Sequence, residues 1–92
     1  MLDIFFSAKF KKDYKRAIKQ EKDVELLLDI VEILAEEQPL GPTHRDHALT
    51  GDYIGYRECH IQADWLLIYK IDGQELLLTL TRTGSHSELF GK

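Results

Sequence analysis

The spacing of apolar positions changes along the chain, and each change marks an element. "LDIFF" at residues 2–6 is a short apolar run with strand character. Ser7 follows it, placed to start a helix by accepting a bond from an amide of the first turn. Phe10, Tyr14, Ala17 and Ile18 then recur at i, i+4, i+7 and i+8, one helical stripe, which predicts a helix ending near Lys22. Asp23 is placed to cap a second helix. There Leu27, Leu28, Val31, Leu34 and Ala35 repeat the spacing, and Glu25, Asp29, Glu32 and Glu36 take the other side. Pro39 and Pro42 end it and open the loop "LGPTHRDHALTGD" at 40–52, long enough to be functional or disordered. Strands are expected at about 53–61, 65–71 and 74–82, with Asp72-Gly73 as a two-residue type I′ turn between the last two. The order β-α-α-β-β-β, followed by a short amphipathic helical tail, is an α+β fold. Two antiparallel helices pack on one mainly antiparallel sheet, in a single domain spanning 1–92.

This hairpin sets a register. With Asp72 and Gly73 in the turn, Tyr69 faces Leu76 and Trp65 faces Leu80. A tight turn at Gln62-Ala63 puts His60 opposite Trp65, with Arg82 two positions beyond Leu80 on the same face. A one-residue slip in that turn moves His60 to the other face. Under either register His60, Asp64, Arg82 and His86 gather at one end of the sheet. The loop carrying His44 and His47 is long enough to fold over it.

Hydrophobic residues make up 43% and charged residues 30%, the balance of a globular protein. The longest uncharged apolar run, Trp65–Tyr69, is far short of the about 20 residues that span a bilayer, and the N-terminus lacks a signal-peptide layout. Cys59 has no partner for an internal disulfide, which fits a reducing cytoplasm. A net charge of −4 speaks against a generic nucleic-acid binder, but the charge is unevenly placed. Residues 7–22 hold seven bases against Asp13 and Glu21, whereas residues 23–37 hold six acids and no base. Either two solvated helix faces attract each other, or the first helix touches RNA.

The polar cluster suits one chemistry in particular. Metal-free RNA cleavage needs a base for the ribose 2′-hydroxyl, an acid for the leaving 5′-oxygen and a cation for the charge building on phosphorus. Histidines supply the first two near neutrality, arginine the third, and a carboxylate can fix an imidazole tautomer. Stacking on Phe90 or Trp65 would hold a base, at about 1–3 kcal/mol. Plainer readings stand beside these. His60 can be an ordinary strand histidine, Arg82 and Asp64 a surface ion pair worth under about 1 kcal/mol, Trp65 a core residue, and Phe90 a pin for the tail. His44, His47 and His60 could bind zinc, although zinc ligand pairs are usually tighter and Cys59 stands alone. Adjacent strand residues point to opposite faces, which speaks against a Cys59–His60 dyad. Neither a glycine-rich phosphate loop nor a G-x-S-x-G motif is present.

The segments bearing the cluster, "RDHALTGDYIGYRECHIQADWLLIYK" (45–70) and "LTRTGSHSELF" (80–90), closely resemble the YafQ branch of the RelE superfamily of bacterial toxins. The likeness covers the whole chain in length and element order. It implies a RelE-like fold and the toxin of a type II toxin–antitoxin system: a ribosome-dependent endoribonuclease acting on translated mRNA, without metal or other cofactor. It also implies a cytoplasmic location, a cognate antitoxin as partner, contact with operator DNA only through that antitoxin, and no membrane. His47, His60 and His86 match family active-site histidines, Asp64 the carboxylate, Arg82 the phosphate-binding arginine and Phe90 the aromatic near the terminus. His86 is then expected as acid and His47 or His60 as base. A non-catalytic toxin-like module, acting as antitoxin partner and transcriptional co-repressor, is the alternative. Two features differ from the family pattern. Ala48 and Ala63 stand where proline is common, and the pI near 5.5 is acidic where many such toxins are basic. Ribosome contact then falls to the basic first helix, and antitoxin contact to apolar burial along a groove.

Overall fold

In a computed structural model of the chain, which describes residues 1–91, both expected helix caps form. The Ser7 hydroxyl accepts from the Phe10 amide at 3.0 Å and starts α1 (Ala8–Lys19). Asp23 accepts from the Glu25 amide at 3.2 Å and starts α2 (Val24–Ala35). Their buried stripes are narrower than expected. Phe10, Ala17, Leu27, Val31, Leu34 and Ala35 are inside, but Ile18 and Leu28 face solvent. No helix among the described residues is long and apolar enough to cross a membrane.

The sheet has five strands: β1 (Asp3–Phe6), β2 (His47–Ala48), β3 (Arg57–Gln62), β4 (Trp65–Asp72) and β5 (Leu77–Gly84). Their order is β1-β5-β4-β3-β2, with β1 parallel to β5 and the other pairs antiparallel. A short helix, α3 (His86–Phe90), closes the chain behind a Ser85–Glu88 capping box. The loop expected at 40–52 is not structureless. It holds two 3-10 turns, Pro42–His44 and Gly51–Tyr53, around the two-residue strand β2, so the next strand begins at Arg57 instead of Tyr53.

Both expected registers are corrected. A type I′ turn needs positive φ at its two central residues, but Gly73 is not among the positive-φ positions. Instead the Asp72 carboxylate accepts from the amides of Gln74 (2.9 Å) and Glu75 (3.2 Å), and the longer turn closes through Leu76 at φ 54°. Asp72 therefore pairs with Leu77 and Tyr69 with Leu80, and an irregularity at Thr81 pairs Ile68 with Arg82. The first hairpin turns at Ala63-Asp64, pairing Gln62 with Trp65, and a second irregularity at Ile61 pairs His60 with Leu66. His60 and Trp65 consequently lie on opposite faces of the sheet.

Each face has its own core. Cys59, Ile61, Trp65, Leu67, Tyr69, Leu78 and Leu80 pack against α1 and α2. Leu66, Ile68 and Leu89 form a smaller core on the other face, covered by Leu49, Tyr53, Tyr56 and Phe90. β1 stops opposite Leu80, leaving the edge of β5 without a strand partner. Side chains of α1 replace it. Ser7 donates to the Thr81 carbonyl (2.7 Å), Asp13 accepts from the Thr83 amide (3.1 Å), and Arg16 donates to the Thr83 carbonyl (3.3 Å). Asp13, 3% exposed, also takes Nε and Nη2 of Arg82 at 2.6 and 3.1 Å. Asp13→Ala would leave Arg82 facing a vacated acceptor. It is expected to lower unfolding free energy by about 3 kcal/mol or more, read from urea midpoints. Arg57→Ala, which breaks the more exposed Arg57–Asp46 pair, is expected to cost about 1 kcal/mol or less in the same assay.

Candidate active site

Register and hairpin turn bring most of the expected site residues to one rim. His47 pairs with Glu58, Glu58 with Ile68, and Ile68 with Arg82, so one row crosses four strands. The next row runs His60, Leu66, Gly84. Both rows face α3. Gly84 lets α3 approach closely, since a Cβ there would lie 2.8 Å from Arg16 Nη2 and 3.0 Å from Glu88 Oε1.

Asp64, in the hairpin turn, holds the start of α3. Its Oδ1 accepts from both the His86 amide (3.0 Å) and His86 Nδ1 (2.8 Å). Nδ1 thus carries the proton, and Nε2 is left for a substrate. The amide bond first, and the imidazole second, hold the Asp64 carboxyl below its ordinary value. The Ser85 amide does the same to Glu88. The His60 ring lies beside His86, centroids 5.8 Å apart.

Glu58 was not anticipated from the sequence, and it joins the histidines. It is buried, and its Oε1 lies 3.5 Å from His47 Nε2 and 3.9 Å from His60 Nε2. Its signal was its place two residues before His60 on one strand, hence on one face. Glu58, His60 and His86 each offer a ligand atom within 4.8 Å of one another's. Two imidazoles and a carboxylate suit a zinc or copper ion. Neither His44 nor His47, weighed as zinc ligands with His60, is in this set; His44 Nδ1 donates to the His60 carbonyl at 2.8 Å.

Of the remaining expected residues, one joins the rim and two lie away from it. Phe90 stands beside His86 (6.4 Å) and edge-on to Tyr53 (5.9 Å). Arg82 lies across Ile68 from Glu58, about 10 Å away at the usual strand spacing. Its bonds to Asp13 hold its pKa high, with a lesser contribution from the Tyr53 hydroxyl beside it. Asp13 engages Nε and Nη2, and Nη1 takes no part in those two bonds. Trp65 is not a stacking platform. It is 1% exposed in the helix-side core, with its indole N–H bonded to Thr83 Oγ1 at 3.0 Å and Lys22 over its ring. Cys59 lies in the same core, where burial pushes its thiol up to about 12 and removes it as a nucleophile.

The sequence and the fold, a small mixed sheet backed by two helices, are similar to those of known bacterial toxins. The family described as "Bacterial toxin of type II toxin-antitoxin system, YafQ" matches residues 2–91. The mRNA interferase toxin YafQ of Escherichia coli K12 is 41% identical over 90 residues, covering 97% of this chain and 96% of that protein. Among solved structures, a metal-bound toxin from Helicobacter pylori superposes with a TM-score of 0.92 at 51% identity, covering 98% of this chain and 100% of the other. YafQ in the E. coli DinJ–YafQ complex superposes with a TM-score of 0.90 at 40% identity, covering 99% and 100%. The chain belongs to the YafQ family of bacterial toxins of type II toxin–antitoxin systems.

The lowered carboxyl of Asp64 gives the site an acid limit. A depressed native pKa contributes stability above the ordinary value of 3.8, and that contribution is lost as pH falls through the native value. Asp64→Asn should therefore be less stable than the parent at about pH 6, with a smaller gap at about pH 2. Urea unfolding at the two pH values measures this, and an equal gap at both would count against it.

Proposed function

We propose that this toxin is an mRNA interferase, an endoribonuclease that cuts translated mRNA at the ribosome in the cytoplasm. The relative from E. coli carries that activity in its name. The observation that carries the catalytic reading is the Asp64–His86 pair set against His60 and Glu58. His60 takes the proton of a ribose 2′-hydroxyl as that oxygen bonds to the adjacent phosphorus. The phosphorus–5′-oxygen bond breaks, and His86 Nε2 gives its proton to the departing oxygen. The products are a 2′,3′-cyclic phosphate and a 5′-hydroxyl end. Asp64 accepts from Nδ1–H and so orients the ring and stabilises the imidazolium, whose Nε2 proton is the one transferred. Glu58 positions His60, with His47 closing its other side. Arg82 supplies a fixed positive charge for the phosphate oxygens as charge builds on them. In this reading Phe90 stacks a base beside His86.

Mapping mRNA ends in a translating extract tests the assignment. His86→Ala and His60→Ala are each expected to slow cleavage by about a hundredfold or more. Wild-type cleavage by His86→Ala would overturn its role as acid. Intact mRNA with the parent protein, despite tight antitoxin binding, would favour a purely binding module.

We also propose an antitoxin as partner, as DinJ is for its E. coli relative. An apolar cleft of about 400 Å3 lies between β1, α1 and α2, lined by Phe6, Phe10, Tyr14, Leu27, Leu28 and Val31 and edged by Lys11 and Lys15. It fits an amphipathic segment carrying acidic residues opposite those lysines. Leu28→Lys should weaken the toxin–antitoxin complex about tenfold or more in a titration, and unchanged affinity would remove the cleft from the interface.

A further inference from the structure

We propose that the cleft between the Gly51–Tyr53 turn and α3 is a guanine-selecting base subsite, with Asp52 as the residue that reads the base. The proposal rests on the nuclease reading above and adds the base class that the site accepts.

The cleft measures about 580 Å3 and is lined by Thr50, Asp52, Tyr53, Leu89 and Phe90. Its two rings meet at 87° with centroids 5.9 Å apart. A flat base can therefore stack on one ring while the other borders its edge. Phe90 leads to His86 and Tyr53 to Arg82, so the ribose of a base held here falls between the proposed acid and the phosphate-binding arginine. Leu89 belongs to the core on this face, which fixes one wall.

Asp52 is exposed, and among the described residues it takes part in no side-chain hydrogen bond or ion pair, so the fold leaves its carboxylate unused. A carboxylate only accepts. On the pairing edge of guanine, N1–H and N2–H are adjacent donors that match its two oxygens. Adenine and cytosine set a ring-nitrogen acceptor beside the amino group, and uracil flanks its one donor with two carbonyls. Each of those edges turns at least one lone pair on Asp52. Thr50, whose hydroxyl both donates and accepts, does not change that order.

The test has two arms. In a translating extract, reporter mRNAs carrying each of the four bases at positions flanking one cut site are compared by end mapping. The parent is expected to favour guanine at one position by about tenfold. Asp52→Ala should flatten that preference, and Asp52→Asn, which presents a donor beside an acceptor, should move it to adenine or cytosine. Tyr53→Ala should slow cleavage for all four bases. A base preference that survives both Asp52 substitutions overturns the proposal. The second arm needs no catalysis. Guanosine, adenosine, cytidine and uridine monophosphates are titrated into the His86→Ala protein, and NMR signals of residues 50–53 and 89–90 are followed. Guanosine monophosphate alone should saturate them at the lowest concentration, and equal response to all four sinks the subsite. Failure of His86→Ala to slow cleavage would instead strike the acid assignment and leave the base ratios to be judged separately.

Discussion

One carboxylate inside the helix layer organises the rest. Asp13 sits on the buried side of α1, between Phe10 and Ala17, where the helical stripe would otherwise be apolar. Its two oxygens meet Arg82 Nε and Nη2, the Thr83 amide and Arg16 Nη2, at 2.6–3.2 Å. Burying a carboxylate is costly unless donors surround it, and here they do. Each of those donors also fixes something else. Thr83 is the end of β5, Arg82 is the proposed phosphate ligand, and Arg16 passes through Glu88 to the first turn of α3 at 3.0 Å. The position of His86 thus depends on α1, an element that contributes nothing to the catalytic rim.

The two faces of the sheet divide the work. Against α1 and α2 lies the larger core, with Trp65 and Tyr69 fully buried and Cys59 inert among them. On the other face the buried apolar residues, among those described, are Leu66, Ile68 and Leu89. That small apolar floor sits under the row of polar groups, and its cover comes from loop and tail residues: Leu49, Tyr53, Tyr56 and Phe90. Polar side chains therefore stand on a short layer held from below by the strands and at the edges by hydrogen bonds. Two sets of those edge bonds run through Asp64 and the Ser85–Glu88 box, both at the start of α3. This placement explains why two carboxylates at one short helix have lowered pKa values: each accepts amides that the helix cannot satisfy itself.

Much of this was legible in the sequence. Ser7 and Asp23 announced their helices through the physics of unpaired amides, and the gathering of His60, Asp64 and His86 at one end followed from hairpin connectivity alone. What failed was register. A single extra residue at Ile61 and another at Thr81 reverse which side chains share a face, and neither has a glycine or proline to mark it. Trp65 was misplaced for that reason, since the same slip that lifts His60 to the rim sends the indole into the core. Asp72 misled differently. Asp-Gly suits a type I′ turn, but an aspartate can as readily fold its carboxylate over the next amides, and the longer turn won. Glu58 drew no notice, and Asp13 counted only as one acid among the bases of residues 7–22, because burial of an acid is settled by partners distant in sequence: Arg82 is 69 positions from Asp13.

The acidic pI has to be reconciled with an anionic substrate, and the placement of charge does so. Among the described residues, no ion pair within 4.0 Å joins a base of α1 to an acid of α2. The lysines of α1 are therefore not consumed by the acidic helix beside them. Lys9, Lys12 and Lys19 are exposed, and α1 is also the helix whose Asp13 and Arg16 secure Arg82 and α3. At physiological salt, fields from surface charges decay over about 8 Å. An RNA approaching this side consequently responds to the nearby lysines and to Arg82 more than to the six acids spread over residues 23–37. Local placement thus outweighs net charge. The same screening length makes RNA association salt-dependent, whereas the Asp13 network, buried and hydrogen-bonded, keeps the rim assembled as salt rises.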